Sequence, residues 1–209
     1  MNDSLVWSLA LALLTPIAPA IAGTVTVTGP KGTTTSTANA TQQGNSRTVN
    51  RATTGPNGNT TSVDSTYTWE NNQLEIERKY SWPGGQTSGS QSTYQGDGQG
   101  NYTGTVNTTN RRGQTNTYNV QGQRQRTGNA WSNQGTVTGP QGQQTGFQRQ
   151  GSCANGQCSG QRAVNFGDGS QRQGTGEGQR TAPGTWEGSG QVTNRQGQTQ
   201  NRTWRRSPQ

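Results

Sequence analysis

Apolar and polar positions alternate most regularly between Val63 and Trp82. Val63, Tyr67 and Trp69 fall on one side of Asn71-Asn72, and Leu74, Ile76 and Tyr80 on the other. A period of two marks a strand with one covered face. A two-residue turn at Asn71-Asn72 makes Trp69 face Leu74, Tyr67 face Ile76 and Val63 face Tyr80. The same register sets Asp64 against Lys79 on the opposite side. Aromatic and β-branched pairs on one side with an opposite-charge pair on the other are what a hairpin needs. Residues 61–82 are therefore expected to be the most ordered part of the chain.

The hairpin belongs to a longer rhythm. Gly29-Pro30-Lys31-Gly32 is reworded as Gly55-Pro56-Asn57-Gly58, Trp82-Pro83-Gly84-Gly85, Asn110-Arg111-Arg112-Gly113 and Gly139-Pro140-Gln141-Gly142. Two further versions, Phe166-Gly167-Asp168-Gly169 and Asn194-Arg195-Gln196-Gly197, complete the series. The closing glycines Gly32, Gly58, Gly85, Gly113, Gly142, Gly169 and Gly197 recur every 26–29 residues. A recurrence of this length signals repeated supersecondary units. Proline at the second position presets φ and the last glycine accepts φ > 0, so each tetrapeptide reverses the chain. Half a period later stands a second reversal: Gly44-Asn45, Asn71-Asn72, Asp97-Gly98, Gly128-Asn129, Asn155-Gly156 and Pro183-Gly184. Each unit thus reads as two strands and two turns. Tyr102, Trp131 and Trp186 each precede a turn glycine by 11 residues, which places them at equivalent positions of successive units. The fold expected is all-β: an antiparallel meander of about seven hairpins over 23–209, as an elongated sheet or a barrel-like one, with partial disorder.

Asn155-Gly156 is the strongest hairpin signal of the two-residue kind. It sets Cys153 opposite Cys158 and Phe147 opposite Val164. A disulfide at this hairpin tip is expected, since an exported chain meets an oxidising compartment.

Export is suggested by residues 1–22, where the apolar run Leu5–Leu14 is followed by Ala20-Ile21-Ala22, a small-x-small pattern before Gly23. This reads as a signal peptide, although the start carries Asp3 and no positive residue. The expected location is secreted, periplasmic or cell-surface, with membrane contact only through that segment during export.

Composition narrows the function classes. Only 22% of the chain is hydrophobic, too little for an ordinary globular core. Long backbone ladders, cross-links or assembly must supply the remaining order. The chain has no His, which removes His-dependent triads and His metal sites. Glu75 and Glu77 share a strand face but sit beside Lys79 and opposite Thr66, a solvated mixture of charges rather than an acid/base pair. No enzyme and no cofactor are expected. The net charge is +8, and every basic residue except Lys31 and Lys79 is Arg. Arginine's planar fork suits phosphate, sulfate and carboxylate. The tight groups are Arg111-Arg112, Arg124 with Arg126, and Arg205-Arg206, which are the candidate contacts to a polyanion. The leading expectation is a structural or adhesive repeat protein of the cell envelope or extracellular matrix. The alternatives are an arginine-rich module for acidic polysaccharide, lipopolysaccharide or nucleic acid, and a disordered secreted chain. Self-association through sheet edges is the partner expected for the first of these.

Overall fold

A computed structural model describes residues 23–29 and 32–208. The segment read as a signal peptide, Pro30-Lys31 at the centre of the first turn, and Gln209 lie outside the described residues. Fourteen strands follow one another without a helix between them. The first seven are β1 (Gly23–Gly29), β2 (Gly32–Gln43), β3 (Ser46–Thr54), β4 (Thr60–Glu70), β5 (Gln73–Ser81), β6 (Thr87–Gly96) and β7 (Asn101–Thr109). The rest are β8 (Thr115–Thr127), β9 (Ala130–Thr138), β10 (Gln144–Ala154), β11 (Gln157–Asn165), β12 (Gln171–Ala182), β13 (Thr185–Thr193) and β14 (Thr199–Pro208). Every neighbour in sequence is an antiparallel neighbour in space, and β1 pairs with β14 to close a barrel. Closure is the outcome the alternation alone left open between an elongated sheet and a barrel.

The expected registers are observed. Trp69 pairs with Leu74, Tyr67 with Ile76, Val63 with Tyr80, and Asp64 with Lys79. The β10–β11 hairpin pairs Cys153 with Cys158 and Phe147 with Val164. Asn71 and Asn72 adopt φ of 49° and 62°, the left-handed pair a type I′ turn requires.

At the opposite rim the repeated tetrapeptides form one turn many times over. Gly142 N–H donates to the Gly139 carbonyl at 3.0 Å, and Gly139 N–H to the Gln143 carbonyl at 2.8 Å. This is a tight turn followed by a residue in the left-handed region, the usual three-residue hairpin with its bulge. All seven closing glycines have positive φ. Where the first turn residue is Asn, its side chain takes over part of the work. Asn110 Oδ1 accepts the backbone N–H of Arg112 and of Gln114, and Asn194 Oδ1 those of Gln196 and Gln198.

Strand alternation sorts the chain onto two faces. In a closed barrel one of these looks inward, and the buried side chains lie on that one. Ile76, Tyr94, Val106, Tyr118, Val120, Val137 and Phe147 form a core along β5–β10, with Tyr67, Leu74 and Tyr102 packed against it. Val164 and Phe166 form a smaller cluster. The core therefore extends well beyond 61–82. So few apolar residues suffice in part because five large rings are laid over a glycine of the neighbouring strand. Tyr94 is opposite Gly104, Tyr102 opposite Gly122, Phe147 opposite Gly135, Trp131 opposite Gly151 and Trp204 opposite Gly188. A Cβ at any of these glycines would collide with the facing ring. The missing side chains make flat beds in which a ring is covered on one side by backbone.

Candidate anion-binding face

The faces differ in charge as sharply as in polarity. Arg47, Arg51, Arg78, Arg124, Arg126, Arg149, Arg162, Arg172, Arg180, Arg202 and Arg206 all share the inward phase with the core residues, as their strand partners show. The acids do not. Asp64, Glu70, Glu75, Glu77, Glu177 and Glu187 occupy the outward phase, and Asp97 and Asp168 sit in turns. Among the described residues the inward face carries positive charge alone. Arg51, Arg124, Arg126, Arg180 and Arg202 are exposed, while Arg47, Arg149, Arg162, Arg172 and Arg206 are half-buried and Arg78 is buried.

The densest part of this face crosses β8–β11. Arg124 pairs with Asn133, Asn133 with Arg149, and Arg149 with Arg162, one continuous row across four strands. Asn133 is 1% exposed, and its Oδ1 accepts the Tyr102 hydroxyl at 2.8 Å. The Arg149 guanidinium lies 5.8 Å from the centre of the Trp131 ring, within reach of the ring's negative face. Arg162 lies across Gly174, its Nε 3.2 Å from where a Cβ would stand. Burial pushes Arg149 down to about 10. Arg162 is also pushed down to about 10, by burial first and then by the charges of Arg149, Arg172 and Arg202. Both guanidinium groups remain protonated at neutral pH.

The candidate contacts chosen from local clustering are not brought together. Arg111 and Arg112 are in the β7–β8 turn, and the Arg111 guanidinium stacks 3.9 Å from the centre of the Trp82 ring. Arg124 and Arg126 do lie on the inward face. Arg205 and Arg206 are adjacent on one strand and so point to opposite faces, Arg205 outward beside Glu187 at 3.4 Å and Arg206 inward opposite Trp186. Local grouping missed Arg149, Arg162, Arg172 and Arg202, which are far apart in sequence. The signal that finds them is parity: once the hairpin registers are set, Arg162, Arg172 and Arg202 have the inward residues Gly174, Val164 and Gly190 as strand partners, and Arg149 is paired with Arg162.

Cys153 and Cys158 form a disulfide at the β10–β11 tip, a bond that belongs to an oxidising environment. The outward face offers a different feature, a groove of about 1020 Å³ crossing β8–β14. Gln125, Gln150, Gln161 and Gln191 lie along one side of it, Thr127, Ser152, Ser159 and Ser189 along the other, and glycine backbone forms its floor. Glu75 and Glu77 lie on the outward face, with Glu77 opposite Thr66. Among the described residues no group of acids or cysteines has the makings of a metal site.

No protein family and no curated protein matches this sequence. The class is thus defined by the fold and the site: a disulfide-bonded, fourteen-stranded antiparallel barrel with an arginine-bearing inward face.

Proposed function

We propose that this chain is an exported, non-catalytic protein of the cell envelope or extracellular matrix that binds acidic polymers through its arginine face. The observation that carries the reading is the separation of charge: arginines from β3 to β14 converge on one face, and every described acid is elsewhere. A merely solubilising charge would be scattered over the exposed outward face, where like charges are cheapest. The outward strand faces carry Thr, Gln, Asn and charged residues, the reverse of the apolar band that a lipid-facing barrel presents. The disulfide and the leader-like segment support export. Self-association through sheet edges would require the β1–β14 seam to open, because closure pairs both terminal strands.

The test is binding to dextran sulfate and to double-stranded DNA, measured by fluorescence anisotropy across a salt series. Affinity should fall by orders of magnitude between about 50 and 200 mM salt if several anionic groups are engaged. An affinity that stays flat over that range, or no binding at the low-salt end, would sink the proposal.

A further inference from the structure

Three lines of residues run side by side across β10–β13. Gln150, Gln161, Thr175 and Gln191 are each the direct cross-strand partner of the next, and so are Ser152, Ser159, Glu177 and Ser189. Between them Gly151, Gly160, Gly176 and Gly190 are paired in the same way. The first two lines are the walls of the outward groove, and the glycine backbone is its floor. Packing specifies the glycines at both ends of the third line. A Cβ at Gly151 would stand 2.8 Å from the Ser159 carbonyl oxygen, and one at Gly190 would stand 2.6 Å from that of Thr175. The walls are two residues apart along each strand, about 6.8 Å, and the groove crosses β8–β14, six strand spacings or about 29 Å. Their chemistry is uniform. Gln150, Gln161 and Gln191 are exposed, and among the described residues their carboxamides are bonded to no other group of the protein. Glu177 is the one charged side chain of the walls, and its Oε1 accepts the Ser189 hydroxyl at 3.1 Å. At the two ends Trp131 turns its ring inward over Gly151, and Arg202 belongs to the inward phase opposite Gly190.

We infer that this groove is a binding site for an uncharged, linear polysaccharide laid across the strands. Carboxamide and hydroxyl groups both donate and accept hydrogen bonds, which is what the hydroxyls of a sugar require. Walls that offer the same groups strand after strand suit a guest that offers the same groups at every step, as a polysaccharide does and a polypeptide of mixed sequence does not. The width admits one chain, and the length takes several sugar units. A polyanion is the wrong guest here, because the walls carry a carboxylate and no cation. A peptide is poorly served as well: closure pairs β1 with β14, so the barrel has no free edge to which an added strand could bond. No aromatic side chain of the walls offers a stacking platform. Affinity therefore rests on many weak hydrogen bonds and grows with the length of the guest until the groove is filled. The inference goes beyond the polyanion reading and is independent of it, since it concerns the other face and a ligand without charge.

Native affinity electrophoresis of the full disulfide-bonded chain, through gels containing hydroxyethylcellulose, galactomannan or pullulan, is the test. Retardation in at least one gel is expected, and it should not change between about 50 and 200 mM salt, because no counterions are released. Gln150→Ala/Gln161→Ala should weaken binding at least fivefold. Thr175→Trp, which sets an indole in the middle of the groove, should abolish it. Gln134→Ala/Gln148→Ala changes an exposed outward pair outside the groove and should bind as the parent does. If Thr175→Trp fails to fold, the exposed Gln150/Gln161 pair decides alone. Retardation in none of the gels, or parental retardation of the Gln150→Ala/Gln161→Ala variant, would overturn the site. Retardation that fades with salt would assign the contact to charge and overturn it too. Capture of an extended Gly/Ser peptide in place of every glycan would assign the groove to polypeptide, with the same result. Dextran sulfate run beside the neutral glycans keeps the two proposals apart. Salt-sensitive binding of dextran sulfate alone removes this site and leaves the arginine face standing, and salt-insensitive binding of a neutral glycan alone does the reverse.

Discussion

The guanidinium of Arg111 lies 3.9 Å from the centre of the Trp82 ring, and Arg195 repeats the relationship at 4.2 Å from the centre of Phe166. In both cases the second residue of one rim turn reaches the first residue of the turn one unit earlier. Arg111 also donates to Gln86 Oε1 at 3.4 Å, and Arg195 bonds Asp168 and Ser170. The rim is therefore tied unit to unit, outside the strand ladders.

Arg111→Ala should lower unfolding stability by about 0.5–1 kcal/mol, the range for an exposed cation–π contact. Arg195→Ala should cost more, because an ion pair and a hydroxyl partner are lost with the ring contact. Urea midpoints at constant m value measure both. An Arg111 variant as stable as the parent would mean that the stack is incidental.

Ring-over-glycine packing makes a sharper prediction at Gly122. A Cβ there would stand 2.5 Å from Tyr102 Oη and 2.7 Å from the Gln134 carbonyl oxygen, and the strand backbone has no room to yield. Gly122→Ala should cost about 1–3 kcal/mol by overpacking. Tyr102→Phe should cost about 1–3 kcal/mol by leaving the buried Asn133 Oδ1 unbonded. The double variant should cost less than the sum, since both changes disturb one contact. Strict additivity in chemical denaturation would show that ring and glycine are not coupled.

The rim glycines fail for a different reason. Around Gly142 nothing lies within 4 Å of a built Cβ, but its φ is +77°. Gly142→Ala should cost about 1–2 kcal/mol, the ordinary penalty of the left-handed region for an L residue. Asn72, at φ 62°, already tolerates that region, so Asn72→Gly should stay within about 0.5 kcal/mol of the parent. Thermal unfolding of the pair of variants checks the contrast. Equal losses at Gly142 and Asn72 would remove the conformational explanation.

How much of this was open to sequence reasoning depends on distance along the chain. The Asn71-Asn72 hairpin was legible because turn, aromatic pairing and charge pairing all lie within 20 residues and constrain one register. The Cys153–Cys158 bond was legible for the same reason, and the seven closing glycines because a turn needs its glycine locally. Barrel closure was not, because the β1–β14 pairing is carried by polar positions such as Thr24 opposite Ser207, which specify register weakly. The arginine face was hidden too. Arg149 and Arg162 look unrelated until a turn at Asn155-Gly156 folds one onto the other, and proximity in sequence pointed instead to Arg205-Arg206, which alternation splits. The covering of rings by glycines was equally out of reach, since it pairs Tyr102 with Gly122 and Trp204 with Gly188 through registers rather than through any motif.

Alkaline and acid limbs of stability should respond to different residues. Burial, the largest influence on Tyr102, pushes its hydroxyl up to about 12 from an ordinary 10.0. The folded chain then holds this proton more tightly than the unfolded chain. The resulting contribution is complete below about pH 10 and is lost as pH rises toward 12. Arg149 and Arg162, pushed down, act in the opposite sense in the same window, so the informative quantity is the difference between the parent and Tyr102→Phe. That difference should shrink as pH climbs from about 10 to 12. On the acid side, Asp97 and Asp168 are held below their ordinary 3.8, Asp97 chiefly by Asn101 and Asp168 chiefly by Ser170. Their contribution is present above about pH 4 and is lost as pH falls through the depressed values. Asp97→Asn and Asp168→Asn should therefore flatten the acid limb and leave the alkaline limb alone. Urea midpoints collected from pH 2 to 12 for the three variants decide the matter. An acid limb unchanged in both Asn variants, or a Tyr102→Phe difference that is constant from pH 9 to 12, would contradict the assignment.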